Sequence, residues 1–207
     1  MGRGSLESVR AIFLDRDGVL NYNVLNTRTG ELEAPLTPAD FKLLPGVLES
    51  LGILRDSGFL LFLVSNQPNY AKGKASLSAL EAIHRRLEGA LDEAQISFTD
   101  FNYCLHHPQA VVLSLLGPCE CRKPSPYFLL KARNEHAIDL SQSWMIGDRA
   151  TDVQCGKAAG VRTIRIGDEE ANAREVADST PDFKARNLAD AIRIVLANAN
   201  SHSERSG

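Results

Sequence analysis

The sequence predicts an α/β protein built on an open, mostly parallel sheet with helices on both faces. Three observations predict it. Short, unbroken apolar runs recur along the chain, as in strands buried on both faces. Segments of helical periodicity separate them. Polar residues follow several of the runs directly, at the strand ends where such sheets bind their ligands. The 207 residues, 43% hydrophobic and 24% charged, are enough for one sizeable core.

Residues 1–9 read as a flexible polar lead-in. AIFL (11–14) is a buried strand that stops at DRDGVLN. Thr37-Pro38 reads as a helix start that Pro45-Gly46 halts early. A helix over about 46–56 ends at Gly58, and FLLFLVS (59–65) is the second buried strand. Ser76 or Ser78 opens a helix with Leu80, Ile83, Leu87 and Leu91 on one face. DFNYC (100–104) is a weaker strand, and 105–124 a loop rich in Cys, His, Pro and Gly. Ser125-Pro126 caps a helix to about His136. WMIG (144–147), a helix over about 150–159, VRTIRI (161–166) and an amphipathic helix over 188–198 complete the alternation, and 200–207 reads as a flexible tail. No repeat or long linker divides the chain, so 10–199 is expected to be a single domain.

Composition excludes several classes. The net charge is −3, from 23 basic and 26 acidic side chains, with no basic stripe suited to nucleic acid. No run of eighteen apolar residues suggests a membrane span. The opening MGRGSLESVR lacks the apolar segment of a signal peptide, so the expectation is a cytoplasmic protein. The expected partner is a small molecule, with no nucleic acid and no membrane, and the expected state is a monomer.

The chemistry-bearing residues sit at the strand ends. Asp15 and Asp17 lie two apart after the first strand, and strand periodicity sends both carboxylates the same way. Two such acids suit a divalent cation, although a DxD pair alone could be surface loop residues. Asp148 follows a later strand and could instead be a helix N-cap; Asp152 lies one helical turn on and can share its face. Ser65 and Asn66 end the second strand with donors for phosphate oxygens, or form a simple turn. Arg122 and Lys123 place two cations before a helix.

Taken together, in chain order, these motifs are specific. Strand–DxDGxxN, strand–SNQ, a lysine, and strand–GDxxxD resemble the haloacid dehalogenase (HAD) superfamily of phosphotransferases, from Ala11 to about Ile166. FLDRDGVLN, VSNQ, CRKP and GDRATD look most like its heptose-bisphosphate and histidinol-phosphate phosphatase branch. The resemblance implies a Rossmann-like HAD fold and phosphomonoester hydrolysis through an aspartyl-phosphate. Asp15 would be the nucleophile and Asp17 the general acid and base. Ser65 and Lys123 would hold the phosphoryl group. Asp15, the backbone carbonyl of Asp17, and Asp148 would hold Mg²⁺, with Asp152 in support. Asn66 and Arg122 would contact substrate or phosphate. The chemistry agrees: a phosphate dianion repels a carboxylate nucleophile, so a metal and a cation are needed nearby.

Cys104-x-His106, twelve residues, then Cys119-x-Cys121 offers three thiolates and an imidazole, a closed tetrahedral set for structural Zn²⁺. Clustered free thiols are the alternative. The heptose branch carries such a loop, which favours zinc. Clamping Cys121 would fix Arg122 and Lys123, and His107 competes with His106 as ligand. Cys155, His84, His136 and Trp144 are expected to be structural.

Asp15 to Ser65 spans fifty residues and Ser65 to Lys123 fifty-eight, both filled by ordinary elements, so no cap domain is expected. Loops near 22–40, 67–75 and 105–122 would then select the substrate. The heptose branch carries S-G-I-A-R-G after SNQ, whereas this chain has Pro68-Asn69-Tyr70-Ala71-Lys72-Gly73. A sugar phosphate is expected. D-glycero-D-manno-heptose 1,7-bisphosphate, losing its 7-phosphate, leads; histidinol phosphate and other sugar or polyol phosphates stay open, and Tyr70 could stack on a ring. A non-catalytic phospholigand-binding protein or a mononucleotide phosphatase are the competing readings.

Overall fold

In the computed structural model, residues 8–27, 30–167 and 179–203 are described, the last four for backbone alone. The central strand is β1 (Arg10–Leu14), and the sheet grows outward from it in both directions. On one side lie β4 (Phe59–Asn66) and β5 (Asp100–Cys104). On the other lie β6 (Trp144–Gly147), β7 (Arg162–Ile166) and β8 (Phe183–Ala185). The order is β5-β4-β1-β6-β7-β8, and every pair is parallel. The chain runs to one edge, returns to the middle, and then runs to the other. That reversal opens a crevice beyond the carboxyl ends of β1, β4 and β6.

Alternation along the strands explains why these runs are apolar throughout. Ile12 and Leu14 of β1, Leu61 and Leu63 of β4, and Trp144 and Ile146 of β6 enter one core layer. Ala11, Phe13, Phe62, Val64 and Met145 enter the other. The first layer is closed by α1 (Val47–Asp56), α2 (Leu77–Glu93) and α5 (Leu188–Ser203). Leu80, Ile83, Leu87 and Leu91 of α2 are its buried stripe, and the Ser76 hydroxyl accepts the Ala79 N–H to cap the helix. The second layer is closed by α3 (Tyr127–His136) and α4 (Ala150–Ala159), through Leu129, Ala132 and Cys155.

Trp144 is fully buried, tilted against Phe183 with ring centroids 5.7 Å apart, and the Arg162 guanidinium lies 4.2 Å from its ring centroid. Trp144→Ala is expected to destabilise the fold by about 3–5 kcal/mol, read as a lower urea midpoint at unchanged slope.

Two elements differ from the sequence reading. The segment taken as loop, 22–40, contains a small antiparallel hairpin of β2 (Val24–Leu25) and β3 (Leu32–Glu33), and its Gly30 N–H donates to the Asn26 carbonyl at 2.8 Å. The edge strand β8 is a second element that the sequence does not predict. Strands of two or three residues carry no measurable periodicity. Thr37-Pro38 does open a short 3₁₀ turn, Pro38–Asp40, where the Asp40 carboxylate accepts from the Thr37 N–H and hydroxyl. Within the expected lead-in, Val9 bridges to Ile138; within the expected tail, α5 continues to Ser203. Residues 1–7 and 204–207 lie outside the described ones. Among the described residues no helix is long and apolar enough to cross a membrane.

Candidate active site

Parallel pairing brings the ends of β1, β4 and β6 to one edge. Asp15 follows β1, and its backbone N–H donates to the Ile146 carbonyl at 3.0 Å, extending the β1–β6 ladder. Its Oδ1 accepts the Arg16 N–H at 2.7 Å and lies 3.1 Å from Lys123 Nζ. The same ammonium reaches Asp152 Oδ1 at 2.7 Å and donates to the Val64 carbonyl at 2.7 Å. The ammonium is thus paired with two carboxylates and anchored to one backbone carbonyl. Lys123 is buried, which works against its charge. Asp15 and Asp152 outweigh that and hold its pKa above the ordinary value.

Asp148 follows β6, with Oδ2 accepting from Asn23 Nδ2 at 3.4 Å. Asp152, in the first turn of α4, accepts the Arg149 N–H at 3.0 Å. Asp15, Asp148 and Asp152 each offer a carboxylate oxygen, all within 4.8 Å of one another. Three carboxylates against one buried ammonium leave an excess of negative charge. In the protein alone both Asp148 and Asp152 carry the cost: burial, then Asp15 and Asp152, push the Asp148 carboxyl up to about 7, and burial with Asp15 nearby raises Asp152 even against Lys123. A divalent cation closes this charge balance, and a hard, oxygen-only donor set suits Mg²⁺. Gly18, at φ +80°, leaves the room: a Cβ there would stand 2.3 Å from Asp148 Oδ2. Gly147 does the same for Asp152, whose side chain a Cβ would meet at 2.3 Å.

Asp17 and Ser65 are both buried beside this cluster, and the Gln67 amide bridges them, donating from Nε2 to Asp17 Oδ2 and to Ser65 Oγ. Asn66 braces Lys123 with both ends of its amide: Nδ2 donates to the Lys123 carbonyl at 3.1 Å and Oδ1 accepts the Lys123 N–H at 3.0 Å. Arg122 Nη1 donates to the His106 carbonyl at 3.0 Å. A cavity of about 350 Å³ opens over Asp15, Asp17 and Lys123. Its walls carry Lys72, Lys74, Arg122 and Arg149. Burial, then Lys74 and Arg122 nearby, lower the Lys72 pKa, as expected where cations crowd around space for an anion.

The second cluster lies at the end of β5. Cys104 Sγ is 3.6 Å from Cys119 Sγ and 3.0 Å from Cys121 Sγ; Cys119 and Cys121 are 3.7 Å apart. His106 Nδ1 lies 3.8 Å from Cys121 Sγ. Tetrahedral zinc with Zn–S bonds of about 2.3 Å separates its sulfurs by about 3.8 Å. Two of the three sulfur pairs already approach that spacing, and all the cysteines are free. Burial and the Cys121 neighbour push the Cys104 thiol up, so a thiolate here requires a cation. His107 is committed elsewhere, its Nδ1 accepting the Gln109 N–H at 3.0 Å. The residues present therefore fit a closed zinc set of Cys104, His106, Cys119 and Cys121.

Comparison with known proteins decides the family. The HAD-hydrolase-like family model matches residues 120–191. The D-glycero-β-D-manno-heptose-1,7-bisphosphate 7-phosphatase of Escherichia coli K12 is 33% identical over 184 residues, covering 89% of this chain and 92% of that protein. The chain belongs to the HAD-like phosphatases. The enzyme of the same name from Vibrio cholerae is 34% identical over 180 residues, covering 83% of this chain and 92% of that protein. Among solved structures, the D,D-heptose 1,7-bisphosphate phosphatase of B. bronchiseptica, complexed with magnesium and phosphate, superposes with a TM-score of 0.75. It is 25% identical, covering 92% of this chain and all of that one.

For this HAD-like phosphatase the structure brings together every site residue singled out from sequence, in two adjoining clusters. One expectation is corrected. Tyr70 does not line the cavity but packs, half-buried, against the first core layer, while Pro68 and Asn69 do line it. Helical turns after Pro68, with Lys72 N–H donating to the Pro68 carbonyl, rotate Tyr70 inward. No sequence signal singles out Asn21, Asn23, Arg16 or Gln67. Arg16, Asn21 and Gln67 stood inside the quoted motifs, but only their side-chain bonds mark them.

Proposed function

We propose that this phosphatase removes the 7-phosphate from D-glycero-D-manno-heptose 1,7-bisphosphate through an aspartyl-phosphate on Asp15. The convergence of Asp15, Asp17, Lys123 and Asp148 beneath a cation-rimmed cavity carries this reading. The relatives' names supply the substrate.

The Asp15 carboxylate attacks phosphorus in line, and the bond from phosphorus to the sugar oxygen breaks. Asp17 gives its proton to that oxygen. It then takes a proton from the water that attacks the aspartyl-phosphate, releasing inorganic phosphate and restoring Asp15. Ser65 Oγ and the Lys123 ammonium hold the phosphoryl oxygens, and Asp152 keeps Lys123 in place. Mg²⁺ on Asp15, Asp148 and the Asp17 backbone carbonyl would offset the charge of the incoming phosphate. Zn²⁺ on the Cys104 set is structural.

The described chain between Asp15 and Ser65 holds a hairpin, a 3₁₀ turn and α1. We therefore take the site to be uncapped. Selection falls to the β2–β3 hairpin and the loop after β4, which the Lys74–Glu33 ion pair (2.6 Å) ties together. The free 1-phosphate has Lys72 and Arg122 to meet it.

Phosphate release with Mg²⁺ tests this on a panel of both heptose 1,7-bisphosphate anomers, histidinol phosphate, and hexose and pentose phosphates. The expected result is a kcat/KM of about 10⁵ M⁻¹s⁻¹ or more on one heptose anomer and far less elsewhere. A clear preference for another panel member overturns the substrate assignment. No release from any of them overturns the enzymatic reading.

A further inference from the structure

Behind the acid cluster lies a buried polar group that the reaction scheme leaves unused. Arg16 and Gln67 are 1% and 2% exposed. Arg16 donates to Asp17 Oδ1 from Nε at 3.2 Å and from Nη2 at 3.1 Å, and Nη2 also reaches Oδ2 at 3.3 Å. Asn21 Nδ2 donates to the same Oδ1 at 2.9 Å. Gln67 closes the ring. Its Oε1 accepts from Arg16 Nη2 at 2.9 Å, and its Nε2 donates to Asp17 Oδ2 at 2.5 Å and to Ser65 Oγ at 3.0 Å. The chemistry fixes which way this amide faces. A guanidinium only donates and a carboxylate only accepts, so reversing it would break both contacts.

A buried ion pair is a poor way to stabilise a fold, because apolar side chains of similar volume do as well or better. What this group does deliver is one orientation of Asp17. Arg16 is itself seated against Tyr103, its guanidinium 5.8 Å from the ring centroid. Oδ1 receives three donors and has no lone pair left. Oδ2 has two, the Gln67 amide and a longer contact from Arg16 Nη2 at 3.3 Å, so it is the less occupied oxygen, and rotation of the Gln67 side chain opens it further.

We propose that Arg16 and Gln67 are positioning residues for Asp17, fixing its carboxylate plane so that proton exchange with the leaving oxygen falls to Oδ2. This rests on the acid–base role given to Asp17 above. Through Ser65, the same amide ties the proton donor to the phosphoryl-binding hydroxyl, so the two keep a set spacing.

A leaving-group comparison tests it. An alkoxide must gain a proton as it departs, whereas nitrophenolate departs unaided. kcat/KM reports only on steps up to transfer of the phosphoryl group to Asp15. The ratio of kcat/KM for the aliphatic phosphate that the wild type turns over best in the panel to that for p-nitrophenyl phosphate therefore reads the acid function. Losses through folding or through phosphate binding at Ser65 affect both substrates and cancel. Gln67→Met, close to isosteric and neutral, is expected to lower the ratio about 30-fold, and Arg16→Met about 100-fold; Asp17→Asn marks the limit, at about 10²–10⁴. Should Arg16→Met fail to fold, Gln67→Met carries the test alone. An unchanged ratio in folded Gln67→Met overturns the positioning role. A wild type that releases phosphate from neither class of substrate overturns the proposed function instead.

Discussion

Asp15→Asn is expected to lower kcat for phosphate release by about 10⁴-fold or more with the fold intact. The substitution keeps shape and removes the charge, and with it the proposed nucleophile. The amide oxygen can still accept the Arg16 N–H, and Lys123 keeps Asp152 and the Val64 carbonyl. Stability should move the opposite way from activity. Three carboxylates share this pocket with one ammonium, so removing one relieves like-charge repulsion. Without Mg²⁺ the variant should therefore melt no lower than the wild type. The Mg²⁺-induced rise in melting temperature should shrink, because a ligand has been lost. Radiolabelled substrate quenched in acid should leave phosphate on the wild type and none on Asp15→Asn. Retention of a tenth of wild-type activity in a contamination-free preparation would rule out Asp15 as nucleophile.

The strand-end chemistry was legible in the sequence for a physical reason. A strand buried on both faces must be apolar to its last residue, so the first polar residue after it marks the sheet edge. Asp15 after RAIFL, Ser65 within FLLFLVSN and Asp148 after WMIG are all dated this way. The helices were legible from their stripes, and α2 most of all. What stayed hidden depends on side-chain direction or on very short pairing. The β2–β3 hairpin has two residues per strand. Tyr70 could be placed on a substrate loop by position, but only the turn after Pro68 shows it facing the core. Asn66 sits where a phosphate donor is expected, yet both ends of its amide hold the Lys123 backbone. Nothing in the sequence marks Arg16: arginine is rarely buried, and the ring of Asp17, Asn21 and Gln67 that buries it involves residues up to fifty-one positions away.

The second large effect concerns the cysteine cluster. Removal of the zinc proposed for it, by chelation or by Cys121→Ser, is expected to lower both the melting temperature and kcat/KM, the latter by about 10–100-fold. The route to the active site is short. Asn66 and Cys104 are register partners at the ends of β4 and β5, so they stand side by side on the sheet edge. Asn66 holds the backbone of Lys123, and Cys104 meets Cys121 two residues earlier. The turn carrying Arg122 and Lys123 is thus tied to the sheet at two adjacent points, one of them through the cluster. Releasing Cys121 leaves the Asn66 amide to position a buried ammonium that must face Asp15 and Asp152 together. Cys119→Ser should also lose the metal, but its effect on kcat/KM should be smaller, because Cys119 stands two residues further from Lys123. Elemental analysis of the wild type should find about one zinc per chain. Chelation followed by excess Mg²⁺ separates the two metals: activity that returns fully with Mg²⁺ alone would show that the cysteine cluster does not position Lys123, whereas recovery only after zinc is restored is the outcome expected from this geometry.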